Sequence, residues 1–360
     1  MKNNRFFYHI KGLWRYFWDR FLRVLLPSLH KYFYLDSRDK LLENAKNRAD
    51  YGYIIDRVNY YNRLTSLDSA NLDFKDSKDS TNLDSKKSKD SAPKSPKSTP
   101  IKIINFTLPK KGLNYFFDTH EFIRYFEDNL SFILEGGDVN YAISKPSICK
   151  SRPIVPINGN LESQAKNANN ILLNLDKIRH FLFINDPYKF EDKDNLLYFR
   201  GGVYQRHRVE FFKKYFSDKR CDIGHTGSVS AENRAFVKPK ASIKTHLSHK
   251  FILSLEGNDV ASNLKWIMSS NSLAVAPKPK FETWFMEGKL KGDFHYIEID
   301  ENYENVFDKL EFYAKNTDLA NKIRLNANAY CKQFFDKNRE QIIALLVLEK
   351  YFKNARFNKF

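Results

Sequence analysis

Cysteine is scarce. The 360 residues hold three, Cys149, Cys221 and Cys331, odd in number and far apart. That spacing implies neither a disulfide framework nor a zinc knuckle, and the usage fits a reducing compartment. Cys331 falls on an apolar helical stripe, which predicts a packed core thiol. Long apolar runs are absent too: none reaches the roughly 18 consecutive residues that a transmembrane helix needs. The basic N-terminus is interrupted by charge every third or fourth position and lacks the continuous apolar segment and small-residue cleavage site of a secretory signal. Cytoplasmic residence is the expectation. Metal-ligand spacing is missing as well. Of nine histidines, only His246 and His249 are suitably spaced, and no third ligand lies near them.

Negative charge is in deficit. Asp and Glu number 43 against 60 Lys and Arg, a formal net charge of +17. Nucleic acid, an anionic membrane surface and phosphate-bearing small molecules all fit that balance, and charge alone does not choose among them. What the chain has is apolar material. With 42% hydrophobic and 15% aromatic residues, it can build two ordinary domains or one large one.

Three kinds of sequence follow one another. From Phe6 to Leu26 apolar residues recur at spacings of three and four, with Arg5, Lys11, Arg15, Arg20 and Arg23 between them, until Pro27 breaks the pattern. Such a helix either packs on its own domain or lies in the headgroup region of an anionic leaflet. Ser66 to Pro100 is almost wholly Ser, Asp, Lys and Asn, and NLDFKDSKDS from Asn71 returns as NLDSKKSKDS from Asn82. This composition cannot bury enough apolar area to offset chain entropy and predicts a disordered insertion. From Ile101 strands and helices alternate. Ile178–Ile184, Leu196–Phe199, Phe251–Leu255, Leu273–Ala276 and His295–Ile299 read as strands, Val203–Phe216 and Val260–Met268 as helices, and the chain after Asp300 as helical. The order predicts an α/β fold with a parallel sheet covered by helices.

Three places could carry chemistry. In FILSLEGNDVASNLKW a buried strand ends at Glu256-Gly257 and a helix follows closely. Amides and dipole at a helix start favour phosphate. Gly257 permits close backbone approach, Ser262 and Asn263 offer hydrogen bonds, and Lys265 adds positive charge. An ordinary strand-to-helix turn has the same pattern. In FRGG, Phe199 to Gly202, another strand ends in Gly201-Gly202, and Arg200, Arg206 and Arg208 cluster at the next helix start. Three arginines there would repel one another unless an anion is present, which points to a pyrophosphate. In the third place an apolar stretch runs into Gly136-Gly137-Asp138, with Lys150 and Arg152 after a short loop. Asp138 is there either a general base for a hydroxyl or a solvated turn residue. Asp192-Lys193-Asp194 spells DxD, but it lies among many Asp-Lys pairs and reads as coincidence.

In this order the three places resemble glycosyltransferase family 90, the family of bacterial lipopolysaccharide A proteins, fungal capsule-associated proteins and animal protein O-glucosyltransferases. The likeness is strongest over FRGG to Arg208, and over KFILSLEGNDVASNLKWIMSSNSLAV through KFETWFMEGKL to HYIEI. It implies a GT-B fold: two Rossmann-like lobes facing across a cleft, with the amphipathic N-terminal helix and C-terminal helices added. Residues 1–65 would join the acceptor-side lobe, 101–190 would form it, 191–335 would bind nucleotide sugar, and 336–360 would be a C-terminal helix packing back across the lobes. It also implies a UDP-hexose donor as co-substrate, inversion at the anomeric carbon and no metal. By position, Arg208 matches a diphosphate-contacting arginine, and Gly257 to Asn263, with Asn258, Ala261 and Ser262 between, match the donor-binding turn. Asp138 matches the family's proposed base and Glu282 a donor-side acidic position. Asn263 stands where the animal enzymes carry arginine, and Gly202 where they carry serine.

The acceptor follows from organisation. A basic amphipathic segment without a secretory signal suits a lipid-linked oligosaccharide, lipopolysaccharide or lipooligosaccharide core, with peripheral contact at the inner face of the cytoplasmic membrane. Glucose and galactose are the candidate sugars. A protein acceptor is the alternative, as is a scaffold that kept the fold without the activity. A nucleic-acid-binding protein would show a basic stripe with stacking aromatics. Here the positive excess is spread along the chain and the aromatics follow helical and strand periods, so no nucleic-acid partner is expected.

Overall fold

The computed structural model describes residues 2–65, 94–155 and 167–355, with side chains from residue 5. The chain divides into two units. The N-terminal unit comprises His9–Leu173 with Gln341–Phe360, and the central unit comprises Asn174–Glu340 with Met1–Tyr8.

The N-terminal unit takes α1 (Lys2–Leu25) from His9 onward and continues through α2 (Ser37–Ala45), α3 (Tyr51–Tyr61) and α4 (Leu113–Ile123). Gly12 lets α1 approach α4, since a Cβ there would meet the Phe117 ring at 2.5 Å. Tyr16, Asp19, Leu22 and Arg23 form the buried face of α1. Asp19 accepts from His30 Nε2 and His120 Nε2, each at 3.0 Å. Burial pushes the Asp19 carboxyl up, but these histidine hydrogen bonds and the charge of Arg23 outweigh it and hold the group well below the ordinary carboxylate range.

Three short parallel strands follow, β1 (Leu134–Glu135), β2 (Ser147–Cys149) and β3 (Asn170–Leu172), in that order. Ile148, Cys149, Ile171 and Leu172 are fully buried, as expected where both faces of a parallel sheet are covered. Residues 66–93 of the low-complexity insertion lie outside the described residues. Its last residues, Lys94–Pro100, are held in the fold. Lys94 N donates to Ala142 O at 2.8 Å, Ser144 N donates to Lys94 O at 2.9 Å, and Lys97 N donates to Glu135 Oε2 at 2.8 Å. Composition mispredicts Lys94–Pro100 because the fully buried Glu135 carboxylate and the Tyr141 ring, 4.9 Å from Lys94 Nζ, supply partners from outside the segment.

The central unit is built on a five-stranded, wholly parallel sheet. In chain order its elements are β4 (Asp194–Gly201), α5 (Arg206–Tyr215), β5 (Cys221–His225), β6 (His249–Leu253), α6 (Leu264–Met268), β7 (Leu273–Ala276), β8 (Ile297–Glu298), α7 (Val306–Lys315) and α8 (Thr317–Lys332). Across the sheet the order is β8-β7-β6-β4-β5. The chain therefore leaves β4 toward one edge and returns to β6 on its other side, which makes the β4–β6 boundary a topological switch point. Phe251, Ile252, Leu253 and Val275 are fully buried, and each such side chain contributes about 1.5–3 kcal/mol. Val209, Phe211, Phe212 and Tyr215 turn one face of α5 onto the same core.

Two expected elements differ. Ile178–Ile184 is not a strand: Lys177–His180 is a helical turn. Its alternating phenylalanines pack sideways instead of pairing in a ladder, with Phe181 against Phe334 at 5.4 Å and Phe183 against Phe335 at 5.0 Å. The helix expected from Val260 begins at Leu264. Before it the backbone is bent, Gly257 N donating to Asp259 O at 2.9 Å, and Val260 and Ala261 are buried as loop residues.

The last helix, α9 (Lys337–Asn354), belongs from Gln341 onward with the N-terminal unit. There the Tyr351 hydroxyl accepts from Ile133 N at 3.0 Å and donates to Pro146 O at 3.1 Å.

Candidate functional site

In an open parallel sheet the crevice at a switch point lies beyond the carboxyl ends of its two strands. Here those ends are Gly201, which closes β4, with Gly202 after it, and the backbone after β6, carrying Leu255, Glu256 and Gly257. Arg208, in the first turn of α5, joins them. Its Nη1 donates to Gly202 O at 2.6 Å, its Nη2 to Leu255 O at 2.6 Å and its Nε to Glu256 O at 2.8 Å. Among the described residues no carboxylate lies within ion-pair distance of it. Burial lowers its pKa to about 10, so the cation is intact at neutral pH. A positive group fixed by three carbonyls and unmatched by an acid is a place where an anion gains a charge-assisted bond.

Two neighbours complete the rim. His207 Nε2 donates to the same Glu256 O at 2.9 Å, and Gln205 Nε2 donates to Asn258 Oδ1 at 3.0 Å. Gln205 Oε1 is buried without a partner among the described residues, an acceptor that a ligand hydroxyl could satisfy. Neither residue stands out in the sequence. Their only signal is position, at the N-cap and inside the first turn of a helix already marked by arginines.

The Glu256 carboxyl is held from the far side by Lys280 N at 2.9 Å and Phe281 N at 3.1 Å. Burial raises its pKa to about 7 although both amides favour the charged form. Glu282, the next residue after Phe281, is itself buried. Gly257 lies beside the guanidinium, where a Cβ would make ordinary contact with Arg208 Nη2 at 3.7 Å. At Gly202 a Cβ would collide with the Tyr204 ring. A serine there requires the half-exposed Tyr204 ring to move.

The structure does not bring every expected residue to this crevice. Arg200 is paired with both oxygens of Asp222, at 2.8 and 2.7 Å. Arg206 is exposed and bonded to Glu210 Oε1 at 2.8 Å. Of the three arginines only Arg208 therefore calls for an anion, because acids already compensate the other two. Lys265 is a correction as well. Its side chain is fully buried and its Nζ lies 2.5 Å from Glu287 Oε1, so its charge is neutralised inside the fold. Asn263 props the turn: its Nδ2 donates to Leu253 O at 2.9 Å and its Oδ1 accepts from Ser254 Oγ at 3.0 Å. Ala261 is buried and Ser262 is exposed.

Asp138 belongs to the N-terminal unit. Lys150 Nζ, on an almost wholly buried side chain, lies 2.7 Å from its Oδ1, and 29% of the Asp138 side chain stays exposed. A buried ammonium on one oxygen of a partly exposed carboxylate fixes its direction. Arg152 points elsewhere, its guanidinium donating to Tyr60 O, Tyr61 O and Asn170 O within the unit's interior.

Glycosyl transferase family 90 matches residues 173–359. The O-glucosyltransferase LpsA of Dichelobacter nodosus is 37% identical over 243 residues, which are 68% of this chain and 73% of that protein. The family match takes in the whole switch-point crevice, whereas Asp138 falls before it. Transfer of a glycosyl group is the chemistry that both likenesses support. The chain belongs to glycosyl transferase family 90.

Proposed function

We propose that the protein is an inverting glycosyltransferase that moves a hexose from a UDP-sugar to a lipopolysaccharide or lipooligosaccharide core, with its two units corresponding to the two lobes of a GT-B enzyme. The observation that carries the donor side is Arg208, a cation fixed at the switch point by three carbonyls, with no carboxylate within ion-pair distance among the described residues. The donor diphosphate takes that place, against the guanidinium and the amides at the start of α5. Gly257, beside the guanidinium, adds no side chain to that approach. The name of the Dichelobacter nodosus relative favours glucose over galactose as the sugar.

Asp138 takes the proton of the acceptor hydroxyl. The oxygen bonds to C1 of the donor from the face opposite the diphosphate, and the C1–O bond to UDP breaks with its electron pair on the leaving phosphate. Configuration at C1 inverts. Arg208 meets the charge developing on UDP, the part a divalent ion plays in other transferases. Lys150 keeps the carboxylate aimed. The site of action is cytoplasmic, where UDP-sugars and a lipid-linked acceptor meet.

UDP release from a panel of UDP-sugars with lipooligosaccharide core acceptor, with and without EDTA, tests this function. Turnover with one UDP-hexose that EDTA leaves unchanged is expected. Absence of both turnover and thermal stabilisation by every UDP-sugar would overturn it.

A further inference from the structure

The sequence of the N-terminal segment admits both internal packing and membrane contact, and the structure shows two separate faces on it. Tyr16, Asp19, Leu22 and Arg23 are buried in the N-terminal unit. On the opposite side of α1, Ile10, Trp14, Phe17, Phe21, Val24 and Leu25 recur at helical spacing and are all exposed, Trp14 to 75% and Phe17 to 59%. Trp14, Phe17, Trp18 and Phe21 line an open groove along it. A stripe of large apolar side chains this continuous is not ordinary surface scatter. The face cannot be hidden by rolling the helix, because Asp19, His30 and His120 pin the other side.

Charge selects what covers it. Between Met1 and Leu35 the only acidic residue is Asp19, and it is buried. Lys11 and Lys31 are exposed along the same stretch. A second copy of this face would satisfy the apolar stripe but set cation against cation. A lipid surface bearing anionic phosphate satisfies both. Among the described residues no helix is long and apolar enough to cross a membrane, so α1, at about 1.5 Å per residue, lies along the surface. Tryptophan, apolar in body with one polar N–H, suits that boundary.

We infer that the exposed face of α1 from Ile10 to Leu25 docks the protein on an anionic lipid surface, independently of which sugar or acceptor the enzyme uses. Binding rests on the aromatic stripe and is strengthened by Lys11 and Lys31.

The test is co-sedimentation of the full chain with vesicles of phosphatidylcholine alone or with phosphatidylglycerol, over a salt series. Tryptophan quenching by brominated acyl chains serves as a second readout, and it is specific because Trp266 and Trp284 are buried. Binding to the phosphatidylglycerol vesicles, weakening with salt, is expected, with quenching on binding. The double variant Trp14→Glu, Phe17→Glu alters only exposed side chains and should keep the wild-type melting temperature. It should lose at least about tenfold in vesicle affinity. Lys11→Glu with Lys31→Glu should remove the preference for anionic vesicles. No sedimentation with phosphatidylglycerol vesicles at low salt, or binding unchanged in the aromatic variant, would overturn the inference. So would a wild-type dimer in gel filtration that the aromatic variant converts to monomer, since the face would then bind a second copy.

Discussion

Arg208 Nε donates to the carbonyl oxygen of Glu256 at 2.8 Å, tying the first turn of α5 to the backbone beyond β6. With its bonds to Gly202 O and Leu255 O, the guanidinium is a brace as well as a charge. Arg208→Lys keeps the charge but cannot span three carbonyls. Each carbonyl left unsatisfied costs about 1–3 kcal/mol. The variant should unfold at a lower temperature than wild type by calorimetry, and a saturating UDP-sugar should recover less of the loss than it adds to wild type.

Asp138→Asn keeps shape and removes the base. Transfer should fall about 10²–10⁴-fold while UDP-sugar affinity by calorimetry stays within about twofold of wild type, since the donor contacts are elsewhere. Retained transfer would place the base on another residue.

Lys150→Met separates positioning from proton transfer. An ammonium beside a carboxylate favours its charged form. Without it, the acid limb of the pH–rate profile should move to higher pH and kcat should fall more than KM changes. A purely structural role would lower the melting temperature and leave the acid limb in place.

Glu256 makes stability depend on pH. Its pKa is about 7 in the fold against 4.5 for an ordinary Glu. The folded protein therefore holds a proton that the unfolded chain releases. That contribution is complete below about pH 4.5 and is lost as pH rises through about 7. Glu256→Gln should gain up to about 3 kcal/mol over wild type at pH 8 and almost nothing at pH 4.5, which denaturant unfolding at the two pH values measures.

Lys265 and Glu287 form a buried ion pair, and removing one partner strands the other's charge. Lys265→Met should cost about 3–5 kcal/mol in stability, read from denaturant midpoints, while KM for the donor in the folded fraction is unchanged. A raised donor KM at full folding would return Lys265 to the donor site.

The central sheet was legible because its strands are continuous apolar runs such as Leu273–Ala276 bounded by turns, a pattern that a doubly covered parallel strand must have. The Phe181 and Phe183 stretch misled for the same reason: alternation cannot distinguish a ladder from an aromatic cluster. At the site, Arg208 and Gly257 were legible from a glycine turn meeting a charged helix start. The division of labour among the cations was not. Arg200, Arg206 and Lys265 find Asp222, Glu210 and Glu287, and two of those three partnerships span about 22 residues, with no local signal. The second face of α1 was hidden likewise, since periodicity reports apolar stripes but not which of them the fold covers.

Calorimetric titration of UDP into the full chain and into Arg208→Gln tests the donor site most directly. One-to-one binding by wild type, weakened at least about tenfold in the variant by loss of a charge-assisted contact, is the predicted result. No binding of UDP or of any UDP-hexose by wild type, or equal affinity in the folded variant, would contradict it.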